Sequence, residues 1–398
     1  MATATSRTRP IPIWLAGVIP ILLIGALIGI FLAFNPIGNL RAVPPVEALA
    51  FERTVLREGV IELHVRNDGP DPVTVSQVTV NDSYRDFRAT ETELGRLEAS
   101  RITIPYPWDE GLPLHIGLVT PSGVVLEHDI EAAALTPEPD ASSLATYALL
   151  GLYIGVVPVA IGLLWFSALR RAGRRWLVFF LAFTVGLLLF LLVDTVAEGL
   201  DLATETAASL DGVGILALGV LGAVAGLTAL ESLLDRARSG GRSARRVTSV
   251  GLTLAYLVAA GIGLHNLGEG LAVGAALAGG EVALGTFLVL GFAIHNTTEG
   301  LAIVAPLGSS EQRPAIWHFV WLGLLAGAPA IAGAWLGGLA FSPAWATLAF
   351  GIAAGAIAQV CWQITRSTLR GEGSDAGVVG AGLLVGFVFM YVTGLFTF

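Results

Sequence analysis

Lysine is missing from this 398-residue chain, so all 22 basic residues are arginine. We read that as a compositional bias and attach no function to it. A single cysteine, Cys361, excludes any intrachain disulfide; set in an apolar run, it reads as an inert small buried residue. Charge is scarce, at 13% of residues against 54% hydrophobic, while glycine is plentiful at 49 residues. That balance excludes an ordinary soluble domain over most of the length and fits closely packed membrane-spanning helices. The charge that exists is uneven: residues 46–140 hold 18 of the 31 acidic residues and seven arginines. So acidic a segment argues against nucleic acid or anionic lipid as its partner.

Apolar runs long enough to cross a bilayer occupy roughly 11–34, 144–167, 176–197, 212–234, 250–277, 281–305, 315–339, 343–365 and 376–398. The first follows Arg7 and Arg9, is longer than a signal-peptide core, and precedes no Ala-x-Ala-like site. It reads as an uncleaved signal anchor, with a cleaved signal peptide as the alternative. Arginines then mark alternate loops: Arg170, Arg171, Arg174 and Arg175; Arg236, Arg238, Arg242, Arg245 and Arg246; Arg313; Arg366 and Arg370. The loops near 199–211, 278–281 and 340–343 carry none. By the positive-inside rule the arginine-bearing loops and the N-terminus are cytoplasmic, and the 44–140 segment and the C-terminus extracytoplasmic. The expected organisation is a multi-pass protein of the cell membrane, surrounded by lipid. Residues 1–43 form the cytoplasmic start and anchor helix, 44–140 an external β domain, and 141–398 an eight-helix domain.

Between the first run and the rest the periodicity changes from helix to strand. Ile61, Leu63 and Val65 alternate with Glu62, His64 and Arg66, the two-residue repeat of a half-buried strand. Asn67-Asp68-Gly69-Pro70-Asp71-Pro72 is a turn signal, and alternation resumes through Val73, Val75, Val78 and Val80. Further pieces at Ile102–Ile104, Leu114–Val119 and Val124–Leu126 bring the expected count to about seven short strands, suggesting an immunoglobulin-like β-sandwich. Pro44-Pro45 and Thr136-Pro137-Glu138-Pro139 read as its linkers.

The chemistry lies in a repeated pattern. His265-Asn266-Leu267-Gly268-Glu269-Gly270 and His295-Asn296-Thr297-Thr298-Glu299-Gly300 are both His-Asn-x-x-Glu-Gly, thirty residues apart and each inside an apolar run. A His and a Glu at i and i+4 share one face of a helix, and imidazole and carboxylate are both ligands for zinc and similar divalent metals. Ionisable groups at membrane depth cost about 3 kcal/mol each, so four of them on adjacent helices point to an ion site rather than to helix glue. Straight antiparallel helices would let the histidines face each other and leave Glu269 and Glu299 pointing apart, with Gly268, Gly270 and Gly300 making distortion cheap.

With both motifs, the eight-helix region resembles the ZIP family of divalent-metal transporters. The family's fourth and fifth core helices carry His-Asn-x-x-(Asp/Glu)-Gly and a related Glu-Gly pattern. The resemblance covers 144–398, is specific in the motifs, and leaves the β domain outside. It implies a transport site on His265, Glu269, His295 and Glu299 with Asn266 and Asn296 beside it. It further implies movement of metal toward the cytoplasm, one helix bundle sliding against another, and a homodimer; the two His and two Glu themselves suit zinc, with oxygen content that also admits iron, manganese or cadmium. No catalytic cofactor is implied; the metal is cargo. The chain departs from the family in its sixth core helix, where Ala328 of Leu325-Ala326-Gly327-Ala328-Pro329 stands at the place of a metal-binding Glu, and in its seventh, which has Gln359 and Gln363 instead of acidic residues. We therefore expect one tightly held metal rather than a pair. Asp194 and Glu198, i and i+4 near the outer end of the second core helix, form either an outer access site for metal or a solvated helix end.

Other histidines read as bystanders: His64, His115 and His128 singly on the surface of the β domain, and His318 at a membrane interface. A zinc hydrolase of the His-Glu-x-x-His type would need a general base beside its first ligand, where this chain has Asn266 and Asn296, so we do not expect an enzyme. A metal sensor or receptor is the other alternative, and short inner loops leave it no cytoplasmic output domain.

Overall fold

A computed structural model describes residues 13–34, 46–238, 246–308, 313–369 and 375–395. Arg7, Arg9, Arg242, Arg245, Arg370 and the Pro44-Pro45 linker, which carried part of the orientation and boundary arguments, lie outside the described residues. The chain divides into two compact units, up to Val46 and from Glu47 onward. In the first, the leading apolar run is helical over Ile13–Phe34 (α1).

The second unit begins with strands. Ten are formed, more than the seven expected, because the turns are flanked by pairs and triplets too short to show a period. They are β1 (Leu49–Arg57), β2 (Val60–Asn67), β3 (Val73–Thr74), β4 (Gln77–Val80), β5 (Ser83–Arg85), β6 (Arg88–Ala89), β7 (Glu93–Leu94), β8 (Ala99–Pro105), β9 (Leu114–Val119) and β10 (Val125–Ile130). Two four-stranded antiparallel sheets, ordered β1-β2-β8-β6 and β10-β9-β4-β5, are accompanied by the small pair β3-β7. Register follows side-chain size: Ile61 opposes Ile104 and Leu63 opposes Ile102 in one sheet, and Val78 opposes Leu118 and Val80 opposes Ile116 in the other. These residues meet in one apolar core. The Asn67 turn is held from inside, since its buried amide donates to the carbonyls of Asp71 and Leu94 while Oδ1 accepts from the Gly69 N–H.

Among the described residues, eight helices long and apolar enough to cross a membrane follow: α2 (Ala141–Leu169), α3 (Arg174–Glu205), α4 (Gly212–Arg238), α5 (Arg246–Ala278), α6 (Val282–Val304), α7 (Ile316–Ala340), α8 (Pro343–Leu369) and α9 (Ala376–Gly394). Helices suit a bilayer because they satisfy every backbone group internally. Two carry a proline break. In α2 a π-turn over Leu152–Val156 precedes Pro158, and α7 divides into Ile316–Gly327 and Pro329–Ala340.

Small residues sort the helices into two groups. An added Cβ on Gly162 would fall 2.0 Å from the Thr297 carbonyl oxygen, on Gly270 2.1 Å from that of Ala330, and on Gly333 2.0 Å from that of Leu267. These seats join α2, α5, α6 and α7. Gly186 meets the Leu383 carbonyl at 2.1 Å, Gly386 that of Phe183 at 2.1 Å, and Gly351 that of Leu216 at 2.4 Å, joining α3, α4, α8 and α9. Among the described glycines, every such seat within 2.5 Å of a neighbouring helix's backbone lies inside one group or the other. Across the boundary the contacts are softer: Gly268 faces the Phe350 ring, and Gly261 faces a Val360 methyl at 3.3 Å. Backbone-to-backbone packing of this kind is what holds helices together in lipid, so each group is bonded more tightly within itself than to the other.

The strand region touches the helices at two loops. The Asp68 carboxylate accepts hydrogen bonds from the N–H groups of Ala208 (2.9 Å) and Ser209 (2.6 Å), in the α3–α4 loop. Ala134 packs against Gly280, in the α5–α6 loop. The connection to α2 is short, with Thr136 bonded through backbone and side chain to Leu56 and Asp140 capping the helix through the Ser143 N–H.

Candidate metal site

Both motif copies lie in mid-helix, and all four of their ionisable side chains are buried. One ligand atom from each of His265, Glu269, His295 and Glu299 can be chosen so that all lie within 4.8 Å of one another. The glutamates therefore do not point apart as straight, level helices would have them. Glu269 bonds directly to Nε2 of His295 and lies 3.3 Å from Nε2 of His265. Helices α5 and α6 are offset so that a His of one stands level with the Glu of the other, and the histidine rings sit 6.4 Å apart by centroid.

The motif asparagines donate to carbonyls at the two proline breaks. Pro158 has no N–H to give the Ile154 carbonyl four residues before it, and Asn296 Nδ2 donates to that carbonyl at 2.9 Å. Asn266 Nδ2 donates at 3.0 Å to the Ala326 carbonyl, three residues before Pro329. Asn296 Nδ2 also reaches Oε2 of Glu269 at 2.6 Å. Each amide is thus committed through its nitrogen, which leaves both Oδ1 atoms as acceptors without a donor.

The group as a whole is short of donors. Nε2 of His265, Oδ1 of Asn266 and Asn296, and both carboxylate oxygens of Glu299 are buried and make no hydrogen bond of good geometry, although the Asn266 amide lies close enough to act on Glu299. Buried polar atoms of a native fold are normally paired, and orphaned acceptors in this number can be satisfied together by a cation. Two imidazoles and two carboxylates suit zinc, and the oxygen share admits iron or manganese. Nδ1 of His265 is occupied by the Thr195 hydroxyl at 3.0 Å.

A cavity of about 450 Å³ runs from His265 and Glu269 past Asp194 and Glu198 to Glu205 and Glu281, at the loops that meet the strand region. Helix α3 runs to Glu205, beyond the apolar run that ended near 197 in the sequence; Asp194, half-buried, and Glu198, exposed, both line the cavity. Glu205 and Glu281 were not singled out in the sequence, because nothing in spacing relates residues on different helices. Toward the arginine-bearing ends the surroundings change: Leu188, Leu191, Val258, Ile262, Ile303, Leu322, Ile357 and Val360 are buried in one apolar cluster.

Among the described residues no second group of His, Cys, Asp and Glu has metal-holding geometry. His64 and His115 pair with carboxylates, Glu62 at 2.8 Å and Asp129 at 2.5 Å. His128 is half-buried: it stacks on Phe51 and bonds to the Thr54 hydroxyl, and burial holds its pKa below the ordinary histidine value. His318 bonds through Nδ1 to the Tyr256 hydroxyl at 3.0 Å.

No family model and no curated protein matches the sequence. Among solved structures there is a likeness to the archaellum periplasmic stator protein FlaG from Sulfolobus acidocaldarius, at 14% identity over 21% of this chain and 99% of that chain, with a TM-score of 0.19. A score that low carries no argument about fold or function.

Proposed function

We propose that the protein carries a divalent metal ion, zinc foremost, across the cell membrane toward the cytoplasm, as a ZIP-like transporter with an added external domain of immunoglobulin-like type. The observation that carries this reading is the buried donor-poor set His265, Glu269, His295 and Glu299 at the end of an acid-lined cavity. In this reading the cavity side is extracytoplasmic and the arginine-bearing side cytoplasmic. Asp194 and Glu198 pass the ion inward, lowering the electrostatic cost of bringing a dication into the helices. His265, Glu269, His295 and Glu299 then replace its water, with Asn266 and Asn296 beside them. Beyond them the apolar cluster bars the way, so release requires a second arrangement. The partition of close glycine seats supports the sliding of α2, α5, α6 and α7 against α3, α4, α8 and α9, the boundary being where the fewest backbone contacts must move. A homodimer is part of the reading.

Uptake of radiolabelled zinc into proteoliposomes tests it. We expect uptake by the wild type and none when His265, Glu269, His295 and Glu299 are all alanine. Undiminished uptake in that variant would remove the site from the pathway. Binding without uptake by the wild type would favour a sensor.

A further inference from the structure

Thr195 is fully buried on α3, in one helix group, and its hydroxyl lies 3.0 Å from Nδ1 of His265 on α5, in the other. The bond therefore crosses the boundary between the two glycine-packed groups. It also suits the ring tautomer that a metal needs, since a hydroxyl can accept as well as donate. Imidazole bearing its proton on Nδ1 donates to Thr195 Oγ1 and presents the Nε2 lone pair, and Nε2 is the atom that is buried without a donor and 3.3 Å from Glu269. A metal-ligating histidine is oriented by the group that holds its other nitrogen. Here that group belongs to the opposite helix group.

We propose that Thr195 is a positioning residue that makes the metal affinity of His265 depend on the register of the two helix groups. While α3 and α5 keep the present register, the hydroxyl holds the ring with Nε2 turned to the site. When the groups slide, the bond is lost, the ring regains its freedom, and the ion is held less firmly. Affinity differs between the two arrangements, and by linkage a bound ion favours the register in which Thr195 and His265 meet. The inference rests on the transport reading above.

The test is zinc uptake by the full-length protein in proteoliposomes, with initial rates measured against external zinc. Thr195→Val keeps the shape and removes the acceptor; Thr195→Ser keeps the hydroxyl. Loss of a partner to a ligating histidine weakens metal binding about 10- to 100-fold, so Thr195→Val should raise KM by that factor without lowering the maximal rate. Thr195→Ser should stay within about threefold of wild type. If the valine variant does not fold, Thr195→Ala carries the same expectation. An unchanged KM, a loss confined to the maximal rate, or a serine variant as impaired as valine overturns the role of the hydroxyl. A wild type that transports no zinc overturns the transport reading instead, so the two failures are told apart.

Discussion

Replacing Glu299 by Gln should shift stability in opposite directions with and without metal. Both Glu299 oxygens are buried without a hydrogen bond of good geometry. A carboxylate oxygen of Glu269 lies within 4.8 Å. Two like charges at that distance repel by about 3.5 kcal/mol at an effective dielectric of 20, and the neutral amide removes that repulsion. The metal-free variant should therefore melt at or above the wild-type temperature, although a buried wild-type side chain has been replaced. Zinc reverses the comparison. At a free concentration of 100 times Kd, a site stabilises the fold by about 2.7 kcal/mol; a site weakened about 100-fold gains only about 0.4 kcal/mol from the same zinc. The expected loss of metal-induced stabilisation is thus about 2 kcal/mol. Thermal unfolding of the purified full-length protein in detergent, followed by tryptophan fluorescence with chelator or zinc, reads both effects. A variant that melts lower without metal yet keeps the whole zinc shift would refute the reasoning, because Glu299 would then be a packing residue.

Three further outcomes are expected. Zinc should bind at one tight equivalent per chain, and more weakly as pH falls, since imidazole and carboxylate must both be deprotonated to serve as ligands; titration calorimetry at two pH values checks this, and two tight equivalents would contradict it. Burial alone would raise the Asp68 pKa, but hydrogen bonds from Ser209 and Ala208 hold it below the ordinary carboxylate value. Its contribution to docking is complete above about pH 4 and lost as pH falls through the lower folded-state value. Spin-label distances between the Asn67 turn and the α3–α4 loop should therefore hold at about pH 5 and broaden only in stronger acid, whereas Asp68→Asn should broaden them at neutral pH. Gly333→Val should sharply lower yield and melting temperature, since its Cβ would lie 2.0 Å from the Leu267 carbonyl, while Gly222→Val, with nothing within 4 Å, should be neutral. Equal behaviour of the two variants would show that the glycine seats do not hold the helices together.

Local patterns carried much of this structure. Eight long apolar helices follow from eight of the nine apolar runs, and the alternation at Ile61–Arg66 from a strand whose two faces meet different surroundings. The four candidate ligands were legible because i and i+4 spacing is a property of one helix. What sequence could not supply was relation between helices. The offset of α5 against α6 brings Glu269 and Glu299 together, and it depends on where Gly270 seats against Ala330 and Gly300 against Val159. Thr195, Glu205 and Glu281 each enter the site's surroundings from another helix or loop. A local signal did exist for one asparagine anchor: Pro158 deprives the Ile154 carbonyl of its donor, and the buried Asn296 amide supplies one.

The strand region bears on two loops that belong to different helix groups. Asp68 holds the α3–α4 loop, and Ala134 is seated against Gly280 between α5 and α6. Glu205 and Glu281, on the rim of the cavity, stand beside these same loops. The two rims cannot part without breaking the Asp68 bonds or unseating Ala134. The folded strands therefore act as a strut across the mouth, and their stiffness becomes a mechanical property of the helices beneath. A cavity opened in the β core, at Ile61 or Ile104 for example, would loosen the strut and so change how freely the long apolar helices move, though no residue of the candidate metal site had been altered.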